Sequence, residues 1–229
     1  MPSDNGYMTT NSILRTWVEE MAALCLPDKI VWIDGSDKQR DELREEACLT
    51  GEMIKLDQEK HPGSYYHRTD PGDVARVEDK TFICCRNQAD AGATNNWKHP
   101  EEAYTEAANF FRGSMTGRTM YVVPFSMGPV GSPFSKIGVE LTDSIYVVLN
   151  LSIVCRVGRQ VLDALGQGNG FTRCLHSKGN LDPERRRILH FPEDNTIWSV
   201  NSGYGGNVLL GKKCLALRLA SWMARQEGW

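Results

Sequence analysis

Apolar residues recur at Ile13, Leu14, Trp17, Val18, Met21 and Leu24 behind Asn11, a spacing of three and four that predicts an amphipathic helix with Asn11 as its cap. Lys29–Ile33 reads as a buried strand, Ser36 opens a charged helix reaching Ala47, and Met53–Leu56 reads as a second strand. Strand, helix and strand within about thirty residues predict a β-α-β unit. Asp57 to Asp79 is polar and rich in Pro, Gly, Tyr and His, so it reads as a long loop, a length that in compact domains is often functional. Thr81–Cys85 is a short strand, and Asn95–Gly113 carries a helix with Pro100 near its first turn and Ala103, Tyr104, Ala107, Phe110 and Phe111 on one face. Further β segments are expected at Thr119–Phe125, Ile137–Leu141 and Tyr146–Val154, with a short helix over Gly158–Leu165. A hairpin follows, Arg187–Phe191 and Thr196–Asn201 turning at Pro192-Glu193-Asp194-Asn195. A Gly-rich loop then leads into a helix from Lys212 to about Arg225. These elements predict an α/β fold with a mixed β-sheet flanked by helices. Residues 1–10 read as a flexible, polar N-terminus and residues 11–229 as one domain.

Composition narrows the setting. The 229 residues carry a formal net charge of −3, which gives no reason to expect nucleic acid or an anionic membrane as the main partner. The longest apolar stretch, Ile145–Cys155, is interrupted by Asn150 and Ser152 and is far too short to span a bilayer. The seven cysteines form no C-x-x-C pair, a pattern that suits buried thiols in a reducing compartment. A cytoplasmic, soluble chain is the expectation.

The chemistry gathers in Gly203-Tyr204-Gly205-Gly206-Asn207-Val208-Leu209-Leu210-Gly211-Lys212-Lys213. From Gly206 it has the G-x-x-x-x-G-K spacing of a phosphate loop, but Lys213 stands where that loop needs a hydroxyl for Mg²⁺. Glycines let backbone N–H groups converge on an anion at a helix start. A plain strand-to-helix turn with two solvated lysines fits the same pattern. Adjacent cations are poorly placed at a positive helix end; they call for a bound anion or the loss of a proton. Repulsion and desolvation both lower a lysine pKa, and a neutral amine can ligate a metal. No second G-x-x-x-x-G-K-[ST] occurs in the chain.

Elsewhere the residues favour bland readings. Asp70 and Asp73 look like turn chemistry in Asp-Pro-Gly-Asp. Arg76, taken alone, reads as a surface ion-pair partner. The histidines lack ligand spacing, Cys84 and Cys85 should face opposite sides of a strand, and Arg185-Arg186-Arg187 reads as a solvated guard at a sheet edge.

Ser202 to Ser221 resembles the substrate and metal loop of GTP-dependent phosphoenolpyruvate carboxykinase. Arg68-Thr-Asp-Pro-Gly-Asp-Val-Ala-Arg76 resembles the family's carboxylate-binding segment. Gly117–Pro133 and Lys136–Asp143 resemble its central strands. The resemblance covers roughly Asn11 to Trp229 and implies the N-terminal, substrate-recognition domain. The family turns oxaloacetate and GTP into phosphoenolpyruvate, GDP and CO₂, using Mn²⁺ in the active site and Mg²⁺ with the nucleotide. Carried over by motif, Arg76 would clamp a substrate carboxylate and Tyr204 would present its ring edge to it. Gly205 and Gly206 would approach the substrate with backbone atoms, and Asn207 would order the loop. Lys213 would be a neutral-amine Mn²⁺ ligand with Lys212 beside it as charge and donor. The family's nucleotide P-loop, its remaining metal ligands and its GTP-binding residues lie beyond the matched segment, in a C-terminal nucleotide-binding domain expected as partner. Negligible turnover is therefore expected from this chain alone. The alternatives are a stand-alone module that binds small dianions without catalysis, and a P-loop hydrolase, which the lysine at position 213 disfavours.

Overall fold

The computed structural model describes residues 6–73, 77–215 and 218–228. The strands are β1 (Lys29–Trp32), β2 (Ile54–Lys55), β3 (Tyr65–Tyr66), β4 (Thr81–Cys84), β5 (Asn96–Lys98), β6 (Thr119–Met127), β7 (Lys136–Thr142), β8 (Arg156–Val157), β9 (Phe171–Ser177), β10 (Arg187–Phe191) and β11 (Thr196–Val200). The helices are α1 (Ser12–Cys25), α2 (Asp37–Leu49), α3 (Gln88–Ala91), α4 (Pro100–Phe111), α5 (Ile145–Val154), α6 (Arg159–Leu165), α7 (Gly205–Val208), α8 (Leu210–Leu215) and α9 (Arg218–Gln226).

Nine strands form one mixed sheet in the order β1-β6-β7-β9-β11-β10-β4-β5, with β8 paired to β6. The hairpin β10–β11 is antiparallel, as its turn predicts, while β4 and β9 join its two sides in parallel. Helices cover both faces, so the central strands are buried on both sides and read as near-continuous apolar runs. On one face Val122, Val139, Leu141, Leu175 and Phe191 pack under Leu14 and Val18 of α1, Ala107 and Phe111 of α4, and Leu162 and Leu165 of α6. On the other, Tyr121, Val123, Phe125, Cys174 and Ile197 meet Leu43 of α2, Val148 and Leu151 of α5, Val208 of α7 and Leu210 of α8. Asn11 caps α1 through Leu14 N (3.0 Å) and donates to the carbonyls of Gly166 and Gly168 at the end of α6, fastening one helix to the other. Cys84 and Cys85 do face opposite sides, one in each core.

Three expectations are overturned. Residues 145–154 form helix α5, not a strand. Ser144 caps it, and its polar residues find carbonyls one turn back, Asn150 on Tyr146 O (2.7 Å) and Ser152 on Val148 O (2.9 Å). The β-α-β unit at the N-terminal end is absent. β2 is two exposed residues paired with β3 in a separate ribbon, and β1 instead pairs in parallel with β6, whose seven central residues are all buried. Finally, Arg186 is no edge guard: it is buried, with 3% of its surface exposed. Arg187 pairs with Glu106 at 2.7 Å, and Arg185 lies over the Phe110 ring.

Candidate functional site

The site residues hang from the end of β11. Beyond Val200 the chain leaves the sheet with Asn201 at a positive φ of 60° and forms the loop 202–204, the single turn α7 and then α8. The loop is moored by Asp73, a carboxylate only 1% exposed. Asp73 accepts hydrogen bonds from Ser202 Oγ (2.9 Å), Tyr204 N (3.0 Å) and Gly203 N, and Arg186 Nη2 lies 3.5 Å from it. Arg186 in turn donates to the carbonyls of Asn201 (2.8 Å) and Gly72 (3.2 Å). Asp73 is therefore not turn chemistry; Asp70 is, its carboxylate accepting from Gly72 N at 2.7 Å. The backbone donors of Gly203 and Tyr204, expected to converge on an incoming anion, are already satisfied by an anion of the chain itself. Arg76, three residues past Asp73, lies outside the described residues.

Beneath the loop the sheet presents polar side chains. Ser202 O accepts from His176 Nε2 (2.8 Å), so the proton sits on that nitrogen and Nδ1 accepts from Thr142 Oγ1 (2.7 Å). Burial keeps the His176 pKa below its usual value. Glu140, Cys174, Ile197 and His190 form one row across β7, β9, β11 and β10. Glu140 is fully buried, faces the N–H groups of Leu210 and Gly211 without closing a full hydrogen bond to either, and burial pushes its pKa well above the usual carboxylate range. His190 Nδ1 is buried without a partner, and burial together with the Lys213 charge pushes its pKa down to about 3.

The two lysines separate. The helical run starts at Leu210, so both stand in the first turn of α8, where successive residues are rotated by about 100°. Lys212 faces solvent, whereas Lys213 turns inward and burial lowers its pKa to about 8. Desolvation is the cause; repulsion from Lys212 is not part of it. Lys213 Nζ lies 3.5 Å from Asn207 Oδ1, and Asn207 Nδ2 donates to Ser202 Oγ at 3.2 Å, so Asn207 bridges the lysine to the loop. Gly211 fits because a Cβ there would lie 2.9 Å from Phe125 Cε2, which lets α8 settle on the sheet. Gly205 and Gly206 serve space as well. A Cβ on Gly206 would stand 2.6 Å from Tyr204 Cε1, and one on Gly205 2.7 Å from the Tyr146 hydroxyl.

Thus Tyr204, Gly205, Gly206, Asn207 and Lys213 are brought together, with Lys212 on the outer side. Asp73, Arg186, Tyr146 and Glu140 escaped sequence reasoning. A buried Arg-Asp pair more than a hundred residues apart leaves no local signature, although the Asp directly before the Val-Ala-Arg segment marks where such a tie would fall. Among the described residues no group of three or more His, Cys, Asp or Glu stands ready to hold a metal. The Lys213 amine, its pKa lowered to about 8, is neutral above that pH and then carries a free lone pair.

A family model described as the phosphoenolpyruvate carboxykinase N-terminal domain matches residues 16–225. The chain belongs to this family. Its mixed α/β sheet and the loop after β11 are thus those of a phosphoenolpyruvate carboxykinase N-terminal domain. It is 57% identical over 221 residues to "Phosphoenolpyruvate carboxykinase [GTP]" of Anaeromyxobacter dehalogenans (strain 2CP-C), covering 96% of this chain and 37% of that protein. Proteins of the same name from Corynebacterium kroppenstedtii and Corynebacterium efficiens are 50% and 49% identical over 232 residues, again covering 96% of this chain. The chain spans 37–38% of the length of these curated relatives. No helix among the described residues is long and apolar enough to cross a membrane.

Proposed function

We propose that this chain supplies the substrate half of a GTP-dependent phosphoenolpyruvate carboxykinase, which decarboxylates oxaloacetate and phosphorylates the product with GTP. The observation that carries the reading is the inward-turned Lys213, lowered to about 8 by burial and placed beside Asn207 under the Gly-rich loop. A lysine meant only for charge would gain nothing from that position; an amine that must offer a lone pair would. Arg76 and Tyr204 are assigned to the substrate carboxylate, Gly205 and Gly206 to close backbone approach, and Asn207 to the loop's order. Lys212 is assigned as the solvent-side cation and donor. Lys213 would be one ligand of Mn²⁺, which when bound supplies Lewis acidity to an enolate oxygen. A single protein ligand makes a weak metal site, so the rest of the shell, and GTP with Mg²⁺, are assigned to a C-terminal domain of the kind that the longer relatives have room for. On that ground the residues of this chain turn over no substrate without that domain; a cytoplasmic setting belongs to the same reading.

Calorimetry of the chain with phosphoenolpyruvate, oxalate and GTP, with and without Mn²⁺, tests the proposal. Dianion binding strengthened by Mn²⁺, lost in Arg76→Ala and unaccompanied by GTP binding is the expected result. GTP binding tighter than dianion binding would contradict it and favour a nucleotide site at Gly206–Lys213. Dianion binding indifferent to Mn²⁺ and to Lys213 would favour a stand-alone binding module.

A further inference from the structure

The Gly205–Gly206 step is enclosed by two tyrosine rings. The Tyr204 ring packs against Gly206, and the Tyr146 hydroxyl packs against Gly205, so close that a single methyl at 205 would stand 2.7 Å from it. Burial, with a smaller contribution from the neighbouring Tyr204 phenol, raises the pKa of Tyr146, which fits two phenols lying near one another. Tyr146 is itself fixed at both ends. Its ring stacks on His67 at 3.9 Å between centroids and 19° between planes, and His67 Nδ1 is bonded to Glu52 O at 2.7 Å. Its backbone N–H donates to Glu52 Oε1 (3.0 Å), which also takes the Ser144 hydroxyl (2.6 Å) at the cap of α5. Burial opposes ionisation of Glu52, but Lys178, 3.1 Å away, and these donors outweigh it and hold the carboxyl below its usual value. The same residue, Glu52, thus grips the start of α5 through its side chain and the stacked histidine through its carbonyl.

We propose that Tyr146 is a positioning residue for substrate binding, a strut from α5 that sets the height of the loop at Gly205 and so keeps the Tyr204 ring seated over Gly206. The inference rests on the proposed carboxylate-binding role of Tyr204 to Gly206. A free tyrosine would swing away from a methyl on Gly205; one clamped between His67 and the first turn of α5 has no such freedom, so the loop must move instead.

A mutant cycle separates this from ordinary packing. Gly205→Ala, Tyr146→Phe and the double variant are compared by melting temperature and by calorimetric affinity for phosphoenolpyruvate in the presence of Mn²⁺. Gly205→Ala is expected to weaken binding roughly tenfold, equivalent to ~1.4 kcal/mol. Removing the opposing hydroxyl should rescue it, so the double variant binds within about threefold of Tyr146→Phe, a difference of under ~0.7 kcal/mol. A double variant as weak as Gly205→Ala, or weaker, overturns the proposal. Rescue of the melting temperature without any change in affinity across the cycle also overturns it, since the contact would then be structural alone. A wild-type chain that binds no phosphoenolpyruvate contradicts the proposed function instead. The positioning role falls with it, and the melting temperatures then report only whether the contact between Tyr146 and Gly205 exists.

Discussion

Replacing Asp73 by alanine should unsettle the loop and the stability of the chain together. The carboxylate accepts from Ser202 Oγ at 2.9 Å, Tyr204 N at 3.0 Å and Gly203 N, and its removal leaves these donors and the Arg186 guanidinium buried without their anion. Arg186 is 3% exposed and Asp73 1%, so water cannot substitute without local opening. Breaking a buried pair by deleting one partner costs about 3–5 kcal/mol, chiefly because the other charge is stranded. For a chain of this size each kcal/mol lowers Tm by about 2–4 °C, so a loss of roughly 6–20 °C is expected. Asp73→Asn should lie on the same side of wild type, because an amide can turn only one acceptor towards donors that need two. Arg186→Met added to Asp73→Ala should recover part of the loss, since no cation is then left unpaired. Thermal and urea unfolding of wild type, Asp73→Ala, Asp73→Asn, Arg186→Met and the double variant would measure this. An Asp73→Ala shift below about 2 °C, less than 1 kcal/mol on the same scale, or strictly additive losses in the double variant, would refute the reasoning.

Two further predictions concern pH. Lys213 has a folded pKa of about 8 against 10.5 when free, so the unfolded chain binds the extra proton between those values and burial of the charge costs stability in full below about pH 8. Lys213→Met should therefore be more stable than wild type in urea at pH 7, with the gap closing as pH rises from about 8 to 10.5; an equal gap at pH 7 and 10.5 would contradict the assignment. Glu140 is shifted the other way: its folded pKa lies well above 4.5, so the neutral form's stability is fully present below 4.5 and is lost as pH rises. Glu140→Gln should be the more stable protein at pH 7 and lose that advantage as pH falls through 4.5; a destabilised variant at pH 7 would mean that the carboxylate is ionised and bonded.

The hairpin β10–β11, helix α1 with its Asn11 cap and the helix opening at Pro100 were legible because local signals and tertiary packing agree there. Residues 145–154 were not, because a run that is apolar on nearly every side, its exposed end at Ile153 and Val154 included, carries neither a period of two nor one of 3.6, and β-branched Val147, Val148 and Ile153 tilt the reading towards a strand. The β-α-β expectation failed on competition: Lys29–Trp32 found a better partner in β6, distant in sequence, than in the exposed pair Ile54–Lys55. In the site, adjacency of Lys212 and Lys213 was visible, and helical rotation explains why one faces out and the other in. The mooring of the loop was hidden. Asp73 with Arg186, and Tyr146 with His67, meet only through the fold, and neither pair has a spacing that a motif could record.

The central claim, that Lys213 offers a neutral amine to a metal, is tested most directly by an NMR titration of the Lys213 side chain in the lysine-labelled chain, with and without Mn²⁺. A midpoint near 8, with selective paramagnetic broadening of Lys213 above that pH, is the predicted result. A midpoint at the ordinary lysine value of about 10.4, with no broadening beyond that of Lys212, would contradict it.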